Sequence, residues 1–121
     1  MNPWLLVGAV NGFLAVAAGA FAAHGLEGRI DARSLEIFST GAHYHAIHAL
    51  AIVATSFLAR ASGRAALSAW FFSAGILLFS GSLYFMALTG SRALVLATPV
   101  GGVCLLIGWA ALAFASLKQA P

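Results

Sequence analysis

Three of the four histidines in this 121-residue chain lie within one short segment, GAHYHAIHAL, at residues 41–50. Apart from His43, Tyr44, His45 and His48, this segment is almost entirely apolar. Imidazoles can bind a divalent metal, transfer protons or hold a hydrogen-bond network together. The direction in which each side chain points decides which of these roles the segment can have.

Helical spacing separates these side chains into two groups. At about 100° per residue, His45 and His48 lie about 60° apart, and Tyr44 lies about 40° from His48. These three side chains are therefore expected to face the interior of a bundle together. His43 lies about 140° from His48 and is expected to face elsewhere, near Glu36, seven positions earlier.

A metal site is a weaker interpretation of the same residues. Zinc needs three or four ligands, of which His45 and His48 supply two. The candidates to complete the set are His24, Glu27, Glu36 and His43. Haem ligation by His24 and His45 is a further weak alternative. No metal-binding motif reinforces either site, so we expect no metal and no cofactor.

Composition assigns the chain to the membrane. Hydrophobic residues make up 62% of it and charged residues 7%. The charges leave four uncharged stretches, at residues 1–26, 37–59, 65–91 and 93–117. Each reaches the roughly 20 residues that span about 30 Å of hydrocarbon. The first stretch lacks the basic start and the short apolar core of a signal peptide, so it is expected to remain as a helix.

The predicted fold class is an all-α membrane protein, a four-transmembrane-helix bundle with short loops. One integral membrane domain is expected over residues 1–121, with helices at about 3–24, 36–59, 66–89 and 94–116. The expected surroundings are the lipid bilayer, and charges this sparse do not indicate nucleic-acid binding.

Orientation depends on few charges. Arg60, Arg64 and Lys118 lie on the side of both termini, and Arg29, Arg33 and Arg92 lie on the other side. The loop between the second and third helices carries two basic residues and no acidic one. The positive-inside rule therefore predicts that both termini are cytoplasmic.

Depth along the helices groups the polar side chains. Counting about 1.5 Å per residue from Arg60 and Arg64 places them in the half of the membrane nearer the first loop. We name this predicted group the polar layer: His24, Tyr44, His45, His48, Ser80, Ser82, Tyr84 and Thr98. The opposite half is predicted to be nearly apolar, with the exceptions Asn11, Thr55, Ser56, Ser68 and Ser73.

Small residues recur along one face of two helices. They are Gly8, Gly12 and Gly19 in the first helix and Gly101, Cys104 and Gly108 in the fourth. Helices in lipid approach closely where side chains are small, so these positions are predicted to be helix contacts, inside one bundle or between subunits. Cys104 is expected to be a packing residue, because an apolar setting disfavours its thiolate.

Two functional interpretations follow from the polar layer. In the first it is a structural hydrogen-bond network in a non-enzymatic structural or accessory membrane component. In the second it is a substrate, proton or metal site in a small oligomeric transporter or channel. An enzyme is not expected, since no nucleophile, base and orienting group occur together. The candidate partners are a second copy of the chain and another membrane protein.

Four segments in order carry a family resemblance: GAFAAHGLEG, HYHAIHALAI, FSGSLYFMALTG and TPVGGVCLLIGW. The chain resembles the family of small bacterial inner-membrane proteins of unknown function, domain of unknown function 423, which is grouped with the animal transmembrane protein 256. The resemblance covers about residues 8–109. It implies a multi-pass protein of the bacterial inner membrane with four helices, and it implies no established reaction.

Overall fold

Each of the four uncharged stretches forms one helix in the computed structural model, which describes residues 2–59 and 63–117. The helices are α1 (Pro3–Leu26), α2 (Ala32–Ala59), α3 (Gly63–Thr89) and α4 (Ala97–Leu117), and all four are long and apolar enough to cross a membrane. The predicted all-α fold with four transmembrane helices is confirmed. Arg60 and Lys118, two of the charges that predict the orientation, lie outside the described residues.

Local side-chain chemistry fixes where the helices begin and end. Asn2 caps α1 by accepting a hydrogen bond from the Leu5 amide at 3.2 Å, and Pro3 occupies the first helical position. Asp31 caps α2 by accepting from the Ser34 amide at 3.2 Å. Hydrogen bonds from Ser34 lower the pKa of the Asp31 carboxyl, which keeps the cap charged. Gly90 ends α3 with φ of 72°.

The helix boundaries differ from the predicted ones at the charged ends. The second helix begins at Ala32 instead of about residue 36, so Arg33 and Glu36 lie on its exposed first turns, 3.5 Å apart. At about 1.5 Å per residue, the 28 residues of α2 exceed about 30 Å of hydrocarbon. Its first turns therefore extend into the headgroup region. The charges mark the edge of the hydrocarbon and not the end of the helix.

The other helices show smaller differences from the predicted boundaries. The first continues to Leu26 because its last residues, Phe21–Leu26, form a π-helical turn. A second π-helical turn, Ile76–Ser80, lies within α3. The third helix begins at Gly63 and the fourth at Ala97, where about 66 and about 94 were predicted.

The helices α2 and α3 form the centre of the bundle. The first helix packs along α2, and α4 packs along α3. In their most apolar parts, 44% of the α2 residues and 39% of the α3 residues are buried, against 17% for α1 and 22% for α4. The central pair therefore determines the core, and the outer two helices have the larger lipid-facing surfaces.

Two apolar clusters fill the space between the helices. One contains Ile52 of α2, Phe72 and Ile76 of α3 and Leu105 of α4. The other lies around Phe38 of α2 and includes Leu26 and Ala87, with Tyr84 packed against it. In each cluster the contacts join residues from at least three helices.

Three of the predicted small contact residues lie where helices approach closely. A Cβ added to Gly8 would come within 2.9 Å of the Val53 backbone nitrogen, and one added to Gly108 would come within 2.6 Å of the Phe72 ring. A Cβ on Gly101 would overlap the backbone of Phe79. Cys104, which lies between Gly101 and Gly108 in the sequence of α4, is partly buried.

The other two glycines make no contact of this kind. A Cβ on Gly12 or Gly19 would meet nothing within 4 Å. Neither glycine is therefore at a close helix approach within the described chain. The alternative, a contact between subunits, stays a prediction.

Replacing Gly101 with alanine should destabilise the bundle. The new methyl group overlaps the Phe79 backbone, which no rotamer change can relieve, so α3 and α4 must separate. We expect a loss of roughly 1–3 kcal/mol in the free energy of unfolding, measured by denaturant titration in detergent. Gly102→Ala is the control, since its Cβ would lie 3.8 Å from the Phe79 ring, an ordinary contact. Equal transition midpoints for the two variants would contradict the close approach.

Candidate functional site

His45 joins three helices at the centre of the bundle. Its Nδ1 lies 2.9 Å from the Tyr84 hydroxyl of α3, and its Nε2 lies 2.9 Å from Oδ1 of Asn11 in α1. The histidine itself is 5% exposed. One side chain of α2 is thus bonded to both neighbouring helices, and both of its ring nitrogens are occupied.

The direction of each hydrogen bond around His45 follows from the last acceptor in the series, the Val7 carbonyl. The Asn11 amide nitrogen donates to the Val7 carbonyl at 2.9 Å, so its oxygen faces His45 and accepts a hydrogen bond from Nε2–H. Because a neutral imidazole carries one proton, Nδ1 accepts from the Tyr84 hydroxyl. The hydrogen bonds therefore form a connected series, in which Tyr84 donates to His45, His45 to Asn11 and Asn11 to the Val7 carbonyl.

His48 makes a separate link, to α4. Its Nδ1 lies 2.7 Å from the Tyr44 carbonyl, which can only accept, so Nδ1 carries the proton. Its Nε2 then accepts from the indole N–H of Trp109 at 3.0 Å. The Trp109 ring also contacts Phe72, with 5.0 Å between ring centroids. This hydrogen bond connects α2 directly to α4.

Three hydroxyl groups complete the set. Ser80 of α3 donates to the Gly41 carbonyl of α2 at 2.7 Å. Ser82 of α3 lies 2.5 Å from Thr98 of α4 and donates to its own helix at the Phe79 carbonyl. The single proton of Ser82 is used in that bond, so Thr98 is the donor between the two hydroxyls.

We name the bonded side chains the polar network: Asn11, His45, His48, Ser80, Ser82, Tyr84, Thr98 and Trp109. It connects α1 to α2, α2 to α3, α2 to α4 and α3 to α4. Six of the eight residues of the predicted polar layer belong to it. The structure brings together His45, His48, the two serines, Tyr84 and Thr98, and it leaves Tyr44 and His24 outside.

Tyr44 does not face the interior, contrary to expectation. Its side chain is 41% exposed, stacks on His48 with 6.2 Å between centroids and touches Phe79. Of the three side chains, His48 has the middle direction, so Tyr44 lies about 100° from His45 at the edge of the buried face. The small angle between the directions of Tyr44 and His48 on α2 was therefore not sufficient to bury Tyr44.

Neither His24 nor His43 enters the polar network. His24 is exposed in the π-helical turn that ends α1, so its placement at the rim of a shared site is not reproduced. His43 is exposed on the outer face of α2, about 200° from His45, in the direction that the spacing predicted.

Two members of the polar network, Asn11 and Trp109, do not belong to the predicted polar layer. Asn11 was assigned to the opposite half because no charge marks the start of α1 and its depth could not be counted. In the structure Asn2 Nδ2 at the start of α1 lies 3.5 Å from the Ser56 carbonyl near the end of α2. The other residue, Trp109, is not among the candidates named from the sequence. Its N–H in an apolar stretch was the available signal, since such a donor usually finds an acceptor.

The geometry does not favour a metal site. Within residues 2–59 and 63–117, no group of three or more His, Cys, Asp or Glu side chains is placed to hold an ion. Both nitrogens of His45 and of His48 are engaged with other partners. A metal would have to displace hydrogen bonds that connect helices.

The fold and the polar network define a small integral membrane protein with four spanning helices and a hydrogen-bonded centre. A family model described as "Protein of unknown function (DUF423)" matches residues 18–102, and the chain belongs to this family. The resemblance to the family of domain of unknown function 423 is thereby confirmed.

Relatives extend the match to nearly the whole chain. A UPF0382 membrane protein, YwdK of Bacillus subtilis, is 42% identical over 98% of both chains. A UPF0382 membrane protein of Haemophilus influenzae is 43% identical over 98% of this chain and 96% of its own. The UPF0382 inner membrane protein YgdD of Escherichia coli is 41% identical over 94% and 88%. No solved structure matches the chain.

Tyr84→Phe should destabilise the bundle, because it removes the donor to His45 and leaves the buried Nδ1 without a partner. We expect a loss of about 1 kcal/mol in the free energy of unfolding in detergent. Tyr44→Phe is a matched control, since the Tyr44 hydroxyl makes no hydrogen bond to any described residue. An equal loss in both variants would argue against a specific His45–Tyr84 bond.

Proposed function

We propose that this protein is a non-enzymatic structural or accessory component of the bacterial inner membrane, and that the polar network holds its four helices in one arrangement. The observation that carries the proposal is the pairing of the buried polar groups. Of the buried side-chain polar atoms in the described residues, only Ser68 Oγ lacks a partner, and Ser68 is outside the polar network. A network in which each buried polar atom already has a partner has little left with which to bind a substrate.

The groups that form the connected hydrogen bonds from Tyr84 to the Val7 carbonyl argue against proton transfer. A proton relay needs groups that can accept one proton and release another at each step. The Asn11 amide, which follows His45, does not ionise, and the chain ends on the Val7 carbonyl of the same helix. The hydrogen bonds also run from helix to helix instead of following one helix across the bilayer. These features suit a lateral link.

The hydroxyl groups do not have the setting of a catalytic nucleophile. An activated serine gives its proton to a nearby base in hydrogen-bond contact. The Ser80 hydroxyl donates to the Gly41 carbonyl and the Ser82 hydroxyl to the Phe79 carbonyl, neither of which can act as a base. This supports a non-enzymatic role.

Location and assembly are parts of the same proposal. The relative in Escherichia coli is named an inner membrane protein, and we assign this chain to the same kind of membrane, with both termini in the cytoplasm. The α1 surface next to Gly12 and Gly19 has room for a close contact, since a Cβ added at either position would meet nothing within 4 Å in the single chain. It is available to a second copy or to a membrane protein partner.

Glutamine substitutions at the two buried histidines separate a structural role from a transport role. A glutamine amide can donate and accept, so His45→Gln and His48→Gln can keep part of the bonding, whereas leucine at either position cannot. We expect the glutamine variants to be more stable than the leucine variants by about 1 kcal/mol, measured by denaturant titration in detergent. Equal stability of the two sets would contradict the structural role.

Proteoliposomes with a pH gradient test the alternative of a proton channel or transporter. We expect vesicles containing the wild-type protein to lose the gradient no faster than empty vesicles. Faster loss that disappears in His48→Gln, while the variant remains folded, would overturn the proposal in favour of transport. The stability comparison and the flux measurement test different parts of the proposal. The first tests the structural role of the polar network, and the second tests the absence of proton transport.

Cysteine labelling tests the orientation. In a Cys104→Ala background, Asn2→Cys places a thiol at the start of α1 and Ala93→Cys places one in the exposed connection between α3 and α4. An impermeant maleimide added to intact spheroplasts should label the thiol at residue 93 and leave the one at residue 2 unlabelled until the cells are opened. The reverse pattern would show that the termini face outward.

A further inference from the structure

The charges of the chain divide unevenly between the two ends of the bundle. The end that holds the α1–α2 and α3–α4 connections carries three basic and three acidic residues: Arg29, Arg33, Arg92, Glu27, Asp31 and Glu36. The opposite end, where α2 is connected to α3 and α4 ends, carries Arg60, Arg64 and Lys118 and no acidic side chain. We name it the basic end. The whole formal net charge of +3 belongs to it.

Arg64 is the residue of the basic end that the structure describes, and it lies at the level of the lipid headgroups. It is the second residue of α3, whose 27 residues span about 40 Å at about 1.5 Å per residue. The hydrocarbon is about 30 Å thick, and about 40–45 Å with the headgroup regions. The exposed side chain of Arg64 is therefore within reach of lipid phosphates.

A contact with α4 holds the Arg64 side chain in place. Its guanidinium carbon lies over the Phe114 ring, 5.2 Å from the ring centroid. Phe114 is three residues before the end of α4, so the contact joins the ends of two helices at the membrane surface. The face of an aromatic ring attracts a cation but carries no net charge. The guanidinium is thus positioned without being neutralised.

Arg64 has no anionic partner among the described residues. Its N–H groups make no hydrogen bond to any of them, and the ion pair between Arg33 and Glu36 is at the other end of the bundle. The acidic side chains are separated from Arg64 by the full thickness of the hydrocarbon. A guanidinium keeps its charge and presents a fork of N–H donors that fits two oxygens of one phosphate. The oxyanion present at this level is the phosphate of a lipid headgroup.

We propose that Arg64 and Phe114 form a binding site for the headgroup of an anionic phospholipid. The Arg64 guanidinium donates to two phosphate oxygens, and the Phe114 ring fixes its position between α3 and α4. An anionic headgroup is favoured over a zwitterionic one, because the ammonium group of phosphatidylethanolamine is repelled by the net charge of the basic end. The site is remote from the polar network and does not depend on the structural role proposed for it.

Native mass spectrometry with two competing lipids tests this site. The protein is extracted in a mild detergent and incubated with an equimolar mixture of phosphatidylglycerol and phosphatidylethanolamine. We expect the wild type to retain phosphatidylglycerol in preference. Arg64→Gln should lower this preference about fivefold. Arg92→Gln is the matched control, because it removes the same charge at an exposed position of the other end and should keep the wild-type preference.

Two further variants separate the charge from its position. Arg64→Lys keeps the charge and loses the fork of donors, so its preference for phosphatidylglycerol should lie between those of the wild type and Arg64→Gln. Phe114→Leu removes the ring that positions the guanidinium. Because Phe114 is half-exposed, this variant should stay folded and show a lower preference than the wild type.

Several results would overturn the proposal. Arg64→Gln with the wild-type preference would remove Arg64 from the site, and Phe114→Leu with that preference would remove the ring. Arg64→Lys that binds no better than Arg64→Gln would contradict the role of the charge. An equal loss in Arg64→Gln and Arg92→Gln would show a general attraction by net charge. Displacement of the lipid by millimolar inorganic phosphate would show a site for a free oxyanion instead of a lipid headgroup.

Discussion

The absence of water from the hydrocarbon core is the constraint on which the rest of this structure depends. A polar side chain placed there must find its partner within the protein, because an unpaired polar group in hydrocarbon destabilises the folded state. His45 meets this condition with two hydrogen bonds, to Tyr84 and to Asn11. His48 meets it with the Tyr44 carbonyl and Trp109. The need to pair two imidazoles therefore fixes contacts among all four helices.

Apolar packing alone would define this arrangement less strictly. In lipid there is little hydrophobic drive between apolar surfaces, so a helix with an apolar face can slide or rotate at small cost. The cluster around Phe72 and the cluster around Phe38 supply close contacts. A hydrogen bond such as that between Ser80 and the Gly41 carbonyl adds direction, because its donor and acceptor must meet at one register. Packing and polar pairing therefore have different roles here.

The helices were predictable because charges and long apolar runs are properties of single segments. The outward direction of His43 and the inward direction of His45 and His48 also followed, since both depend only on helical spacing. The place of Asn11 did not, because the relative height of two helices depends on how they dock. Tyr44 illustrates a second limit: spacing gives an angle between side chains, but only the positions of α3 and α4 decide where the buried face ends.

The spacing of the two buried histidines explains how one helix can organise the other three. Two side chains three positions apart differ by about 60° in direction and about 4.5 Å in height. That difference lets His45 reach α1 and α3, while His48 reaches Trp109 of α4 on the other side. A spacing of four would bring the directions within about 40°, and a spacing of two would send one imidazole about 200° away, as it does for His43. A spacing of three residues therefore lets two side chains on one buried face of α2 bond to α1 and α3 on one side and to α4 on the other.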